Sequence, residues 1–274
     1  MNRSTPWLIR LRWWLCGVLL LGLAGGPARG APRWQPSGPA LEDPAAAVRE
    51  ALTQGRACQA RFQREQAATA YGQALRLAPR NFEALWNLAV LKTQLAFGQA
   101  DKARRQAGFE QARRLAEQAL RLDSTRYEGH YAVALVAGAS QRDMANPADR
   151  LAAGRAVRWH AGRALAYRPA HAESWVLLGG WHLGLANLSW AERLVAGHAA
   201  AGASNEQALH CFRQALRLQP DNLKVYLMAA TACTHLHRPA DAQALLHQAL
   251  ALPLLRPEDP QVRQKCTGLL REIG

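Results

Sequence analysis

The sequence predicts an all-α fold, a right-handed α-solenoid of about five helical hairpins with a C-terminal capping helix. Three observations lead to it. Nearly half of the 274 residues are apolar, and alanine, leucine, arginine and glutamine dominate while β-branched residues are sparse. A short string recurs: A-L-R-L-A-P at Ala74, A-L-R-L-D-S at Ala119, A-L-A-Y-R-P at Ala164, A-L-R-L-Q-P at Ala215 and A-L-A-L-P-L at Ala249. Small residues stand at matching places within the recurring units. Alanine and straight side chains lose little rotamer freedom in a helix, and periods of this size mean stacked supersecondary units.

Charge narrows the partners before any element is placed. Lys and Arg number 34 against 20 Asp and Glu, a net charge of +14. Four arginines (Arg3, Arg10, Arg12, Arg29) lie in the first thirty residues, which hold no acid, so the body carries 30 against 20, or +10. Only Lys92, Lys102, Lys224 and Lys265 are lysine, a skew that marks a GC-rich genome more than a choice of phosphate-binding geometry. A basic surface attracts acidic proteins, anionic lipid or nucleic acid non-specifically. No basic cluster is interleaved with aromatics, so no specific nucleic-acid binding is expected.

Residues 1–30 read as an address. Arg3, Arg10 and Arg12 precede an apolar run from Trp13 to Ala24, which is shorter than the roughly 20 residues a bilayer span needs and suits a signal-peptide core. Ala28-Arg29-Gly30 puts small residues where a signal peptidase reads, so cleavage falls before Ala31. An uncleaved membrane anchor is the alternative, and in both cases the body crosses the membrane. Residues 31–44 contain four prolines and read as an extended linker, which leaves 45–274 as the solenoid domain.

Successive recurrences start 45, 45, 51 and 34 residues apart. Their residues resemble the tetratricopeptide repeat, a 34-residue helix-turn-helix unit. Its pattern asks for bulky residues at positions 4, 7 and 11, a small one at 8, alanine at 20 and 27, and proline at 32. The fourth unit, from Ala172, supplies Trp175, Leu178, Gly179 and Pro220; the fifth, from Leu223, supplies Tyr226, Ala230, Ala242 and Ala249. The first supplies Gly55, Ala67, Tyr71, Ala74 and Pro79, the second Leu88, Ala89 and Ala119, the third Ala134, Ala164 and Pro169. The small residues let paired helices approach, and stacking gives each unit the core it lacks alone. Arg76, Arg168 and Arg217 answer the negative ends of the second helices.

Units two to four exceed that length by 11, 11 and 17 residues, near 96–107, 138–149 and 185–204. The third excess contains Leu188-Ser189-Trp190 and the step Ala203-Ser204. With the lengthened middle units and the ending L-P-L-L-R-P-E-D-P-Q-V-R, it resembles the regulator of microtubule dynamics branch of tetratricopeptide proteins over roughly residues 125–272. That resemblance implies the fold and a partner-binding role. Microtubule association does not carry over to a body exported from a bacterium, where that partner is absent. Glu258 to Ile273 is expected to cap the last unit.

No phosphate-cradling glycine loop, H-E-x-x-H pair or G-x-S-x-G elbow is present, and no catalytic residue, cofactor or metal site is expected. Cys211 and Cys233 fall on neighbouring helices, either as small buried apolar residues or as a disulfide. Cys233, His235 and His237 form a C-x-H-x-H run whose alternate residues diverge on a helix, so His237 reads as a turn residue. The resemblance places the working surface on the concave face, where positions 2, 5, 9 and 12 point into a groove. Position 5 gives Trp86, Tyr131, Val176 and Leu227, and position 2 gives Glu83, Glu128, Glu173 and Lys224. An aromatic-lined groove rimmed by carboxylates suits a peptide with apolar anchors and some positive charge. Glutamate in a first turn also answers the helix dipole, so these acids have a structural reading too. The expected function is a non-catalytic scaffold that binds a protein or peptide outside the cytoplasm, periplasmic or secreted. A membrane-tethered regulator and an electrostatic binder of anionic polymer are the alternatives.

Overall fold

In the computed structural model, which describes residues 43–197 and 201–274, Asp43 caps the first helix by accepting from the Ala45 N–H at 3.0 Å. Pro44 occupies the first turn, where its missing N–H costs nothing. The helix thus begins at Pro44, inside the stretch read as linker. Residues 31–42 and the address at 1–30 lie outside the described residues.

Helices α1 (Pro44–Ala60) and α2 (Arg64–Leu77) form the first hairpin, and α3 (Phe82–Phe97) and α4 (Lys102–Leu122) the second. The third joins α5 (Tyr127–Ser140) to α6 (Pro147–Tyr167). In the fourth, α7 (Ala172–Ala186) pairs with α9 (Asn205–Leu218) across a short inserted helix, α8 (Trp190–Ala196). The fifth consists of α10 (Leu223–His235) and α11 (Pro239–Ala251), and α12 (Asp259–Ile273) packs on both as the cap. Among the described residues these twelve α-helices and one 3-10 turn make a right-handed tetratricopeptide solenoid, as the repeats predict. None of those helices is long and apolar enough to cross a membrane.

Each hairpin closes where the sequence stops a helix. Pro79, Pro169 and Pro220 directly follow the C-cap residues Ala78, Arg168 and Gln219. Arg168 also reaches back to the start of its own hairpin, donating to the Tyr127 hydroxyl at 2.9 Å and stacking 4.9 Å over that ring. The small residues predicted at position 8 are all buried: Gly55, Ala89, Ala134, Gly179 and Ala230. At Gly55 a Cβ would stand 2.8 Å from the Tyr71 ring, and at Gly179 only 2.5 Å from the Phe212 ring. Tyr71, Phe212 and Leu246 fill the matching second-helix positions, all fully buried.

The three excesses become three different structures. The first adds no loop beyond the turn Gly98–Asp101 and lengthens α4 to 21 residues, with Asp101 capping the Arg104 N–H at 2.7 Å. The second forms the 3-10 turn Gln141–Asp143, after which Asn146 caps α6, also 21 residues long. The third builds α8, opened by a capping box between Ser189 and Glu192, and returns through Ser204, which caps α9 by accepting from the Gln207 N–H at 3.1 Å. Arg64 in the first hairpin meets Glu258 beside the cap at 2.7 Å, so the superhelical turn brings the two ends within side-chain reach.

Cys58, Cys211, Cys233 and Cys266 are free thiols, and the last three are buried. Burial pushes the Cys211 thiol up to about 11, which makes it a poor nucleophile. Of the two readings for Cys211 and Cys233, the structure shows the buried apolar one. His237 has φ +55° and turns the chain after α10, and among the described residues no three metal-ligating side chains cluster.

Candidate functional site

First helices of neighbouring units pack on one another, α3 on α5 and α5 on α7, and the eight residues expected to line a groove differ in their surroundings. Glu83 pairs with Arg56 at 2.6 Å, Glu128 with Arg126 at 2.7 Å, and Glu173 accepts from Gln219 at 2.5 Å while lying 3.3 Å from His171. These carboxylates are occupied by their own chain. Trp86 is half-buried against the core of the second and third hairpins. Tyr131 is only 8% exposed: the first turn of the next unit covers it, with the His171 ring edge-on at 4.7 Å. Burial pushes its phenol well above the ordinary value. Leu227 packs on the C-terminal core, and Val176 and Lys224 open onto a cavity.

That cavity, of about 630 Å³, lies among α5, α6, α7, α8 and α10. Its size falls in the range of ligand sites, roughly 300–1,000 Å³. Its walls are mostly apolar, formed by Val157, Val176, Leu177, Trp181, Leu188 and Met228. Arg150, Arg155 and Lys224 stand exposed around it with one carboxylate, Glu192. Hydrogen bonds from Ser189 hold the Glu192 carboxyl below its usual range, so it is charged and engaged in its helix cap. Four helical glycines, Gly138, Gly154, Gly180 and Gly184, complete the lining. Unlike Gly55 and Gly179, they are not forced by packing: a Cβ at Gly184 would meet nothing within 4 Å, and at Gly138 and Gly180 it would make ordinary contact at 3.5 Å. Glycine inside a helix costs about 1 kcal/mol relative to alanine, and at these places its structural effect is to leave the cavity open. The indole N–H of Trp181, a residue 7% exposed, has no hydrogen-bond partner.

One cluster imitates a catalytic triad. His171 Nδ1 lies 2.8 Å from Ser174 Oγ, and Nε2 lies 3.3 Å from Glu173. Ser174 is fully buried, so its hydroxyl has no path to a substrate, and the group brackets the start of α7.

A second buried cluster gives a pH prediction. His130 Nε2 lies 3.1 Å from the Ser124 carbonyl, so it carries the proton there and leaves Nδ1 to accept from His160 Nδ1–H at 2.9 Å. Burial, then the neighbouring His130, pushes His160 down to about 4; burial and Arg163 lower His130. A histidine whose folded pKa is depressed leaves the unfolded chain binding more protons, so stability is constant above about pH 6.5 and falls as pH drops toward 4. Discounted for partial exposure of the His160 ring, the expected loss is about 1–2 kcal/mol by pH 4. Urea unfolding at pH 7.5 and 4.5 checks this, and His160→Gln should weaken the pH dependence across that interval.

The model of the family described as regulator of microtubule dynamics protein 1-3 matches residues 51–274, from inside α1 through the cap. The chain belongs to this family. No curated protein matches the sequence. Among solved structures, the thermophilic tetratricopeptide protein TTC0263 of Thermus thermophilus is similar at TM-score 0.61 and 17% identity, covering 82% of this chain and 99% of its own. PilF of Pseudomonas aeruginosa is similar at TM-score 0.51 and 15% identity, covering 84% and 88%. At these identities the likeness is one of fold. In this member of the regulator of microtubule dynamics family, the segment around Leu188–Trp190 that carries the resemblance forms one wall of the cavity. Sequence reasoning reached Val176 and Lys224 and missed Trp181, Arg150 and Arg155. Its own register held a signal for the openings, because Gly138 and Gly180 occupy positions 12 and 9 of their units.

Proposed function

We propose that the chain is a non-catalytic scaffold, exported or membrane-anchored, that binds a protein or peptide partner on its concave face. The observation that supports this is the apolar cavity among five helices, lined in part by Val176 and Lys224 of the expected groove and by Arg150 and Arg155. Residues 1–30 deliver the body across a membrane, as a signal or as an anchor. The partner's anchors are apolar, and its charge beside the cavity is negative, the reverse of what the position-2 glutamates imply, because those acids are paired within the chain. The test is affinity capture with the full chain, tagged at its C-terminus, in extract from its native compartment, beside a Val176→Ser, Leu227→Ser variant. The expected result is a discrete protein that survives a high-salt wash and is lost by the variant. If everything captured washes off with salt, and the variant behaves identically, the chain is an electrostatic binder of anionic polymer. The family match favours a second reading, a membrane-tethered regulator; retention of residues 1–30 in the mature protein is its test.

A further inference from the structure

We propose that an exposed stripe of α6 docks on an anionic lipid bilayer, with the Trp159 ring seated at headgroup level between Arg155 and Arg163. The surface is independent of the scaffold reading: it lies outside the cavity, with Arg155 at the border of the two. In sequence Arg155, Trp159, Arg163 and Tyr167 stand four residues apart, so no basic cluster interleaved with aromatics shows there. The helix turns them into one line.

α6 packs on α5, α7 and the 3-10 turn, and its other side is open: Ala148, Ala152, Arg155, Trp159, Gly162 and Ala166 are all exposed. Trp159 is 64% exposed, and small residues surround it on that side. A Cβ at Gly162 would meet nothing within 4 Å, so the surface beside the indole is open. The helix carries Arg150, Arg155, Arg158 and Arg163 against Asp149 as its one acid. None of the four arginines forms a salt bridge among the described residues. α4 is the contrast, because its Arg113, Arg114 and Arg121 all pair with Glu110 or Glu117.

Such a stripe has the chemistry of an interfacial helix. Arginine meets lipid phosphates in charge-assisted, two-pronged hydrogen bonds, and tryptophan favours the boundary between headgroups and acyl chains. From Arg155 to Tyr167 the stripe runs about 18 Å along one helix, at about 1.5 Å per residue, which suits a flat surface. A second copy of the chain would set these arginines against their own kind. A nucleic-acid strand needs successive ring faces on which to stack its bases. Here Arg163 stands over the Tyr167 ring at 4.9 Å and leaves Trp159 alone as a platform. The chain outside the described residues points the same way. Residues 1–30 serve as a signal or an anchor, and residues 31–42 add at most about 40 Å of extended chain before α1. A retained anchor keeps the body beside the bilayer, where weak docking by one helix suffices.

The experiment binds the full chain to vesicles of phosphatidylcholine, alone or mixed equally with phosphatidylglycerol, whose acyl chains are brominated near the headgroup. Bromine quenches tryptophan only at close range, so the difference in quenching between the wild type and Trp159→Phe reports Trp159 itself. Every variant keeps residues 1–30, so attachment through them is common to all arms. With phosphatidylglycerol the wild type should lose more fluorescence than Trp159→Phe, by about the share of one indole among nine. Phosphatidylcholine alone should shrink that difference at least about fivefold. Arg155→Gln with Arg163→Gln should abolish it, while Arg113→Gln with Arg114→Gln, which removes the same charge, should leave it intact. Trp159 and Arg155 are exposed, so the melting temperature should not move. Equal quenching of the wild type and Trp159→Phe overturns the proposal. So does a difference as large without phosphatidylglycerol, or one that both arginine pairs lower alike. Loss of the difference at a lower charge concentration of poly(U) or polyglutamate than of lipid also overturns it, and makes the stripe a surface for anionic polymer. None of these outcomes touches the scaffold reading, whose capture variant lies at Val176 and Leu227.

Discussion

Phe212→Ala should be the most damaging apolar substitution in the C-terminal half, with a loss of about 3–5 kcal/mol and a fall in Tm on the order of 10 °C. The ring is fully buried on α9 and lies directly over Gly179 of α7, so its removal leaves a cavity in the seam of the fourth hairpin. The reciprocal variant separates two effects of opposite sign. By helix propensity Gly179→Ala gains about 1 kcal/mol. By packing, the new Cβ would stand 2.5 Å from Phe212 Cε1, and a rigid ring between two helices cannot retreat cheaply. Overpacking costs about 1–3 kcal/mol, so the net effect is destabilising. Gly179→Ala with Phe212→Leu should recover part of that loss, a coupling that denaturant titration of the double-mutant cycle reads directly. Additivity within about 0.5 kcal/mol would mean that the two positions are not in contact. Because the units of a solenoid pack mainly on their neighbours, hydrogen exchange should show lost protection in α7, α9 and α10 before α1 to α4.

The fold was legible because repeat spacing is a ruler. The alanines at positions 20 and 27, the prolines after second helices and the small residues at position 8 each have one physical reason, and each stands where that reason requires. The site was less legible because a ruler gives register within a unit and says little about what neighbouring units cover. Tyr131 occupies a groove position, yet the lead-in to α7 places His171 across it. Glu83, Glu128 and Glu173 sit in first turns as the pattern requires, and nearby Arg56, Arg126 and Gln219 engage them. Arg150 was out of reach for a different reason. It lies in the turns by which the 21 residues of α6 exceed the 14 of α2, and a consensus has no positions for added residues. The same holds for α8, whose Trp190 and Leu194 are 81% and 70% exposed and whose flank at Leu188 and Glu192 lines the cavity. Repeat positions on α5, α6, α7 and α10 supply most of the cavity wall, and the departures from the repeat add its flanks.

That makes the device that fixes the departures the next most sensitive point. Arg105 of α4 and Asp143 of the 3-10 turn form a two-pronged pair, Nε to Oδ2 and Nη2 to Oδ1, each at 2.6 Å. The remaining Nη1 donates to the carbonyls of Gln99 at 2.8 Å and Ala100 at 3.1 Å. Both side chains are buried, 7% and 8% exposed, so the pair ties the first excess to the second inside the protein. The Arg105 hydrogen bonds hold the Asp143 carboxyl below its usual range. Its contribution is therefore present above the unfolded value near pH 4 and is lost as pH falls through the lower folded value. Acid thus acts here below the window in which the histidines act. Asp143→Ala strands a buried guanidinium, and Arg105→Ala a buried carboxylate, so each should lower Tm on the order of 10 °C. Arg105→Met with Asp143→Leu should recover most of it, because an apolar pair in the same space avoids the desolvation cost. Asp143 lies four residues before Pro147, where α6 and the cavity wall begin. Asp143→Ala should therefore loosen the first turns of α6, visible as faster amide exchange around Arg150 to Arg155, while α10 to α12 keep their protection. Uniform loss across the chain would mean that the pair supports the whole solenoid, and that the cavity wall has no clasp of its own.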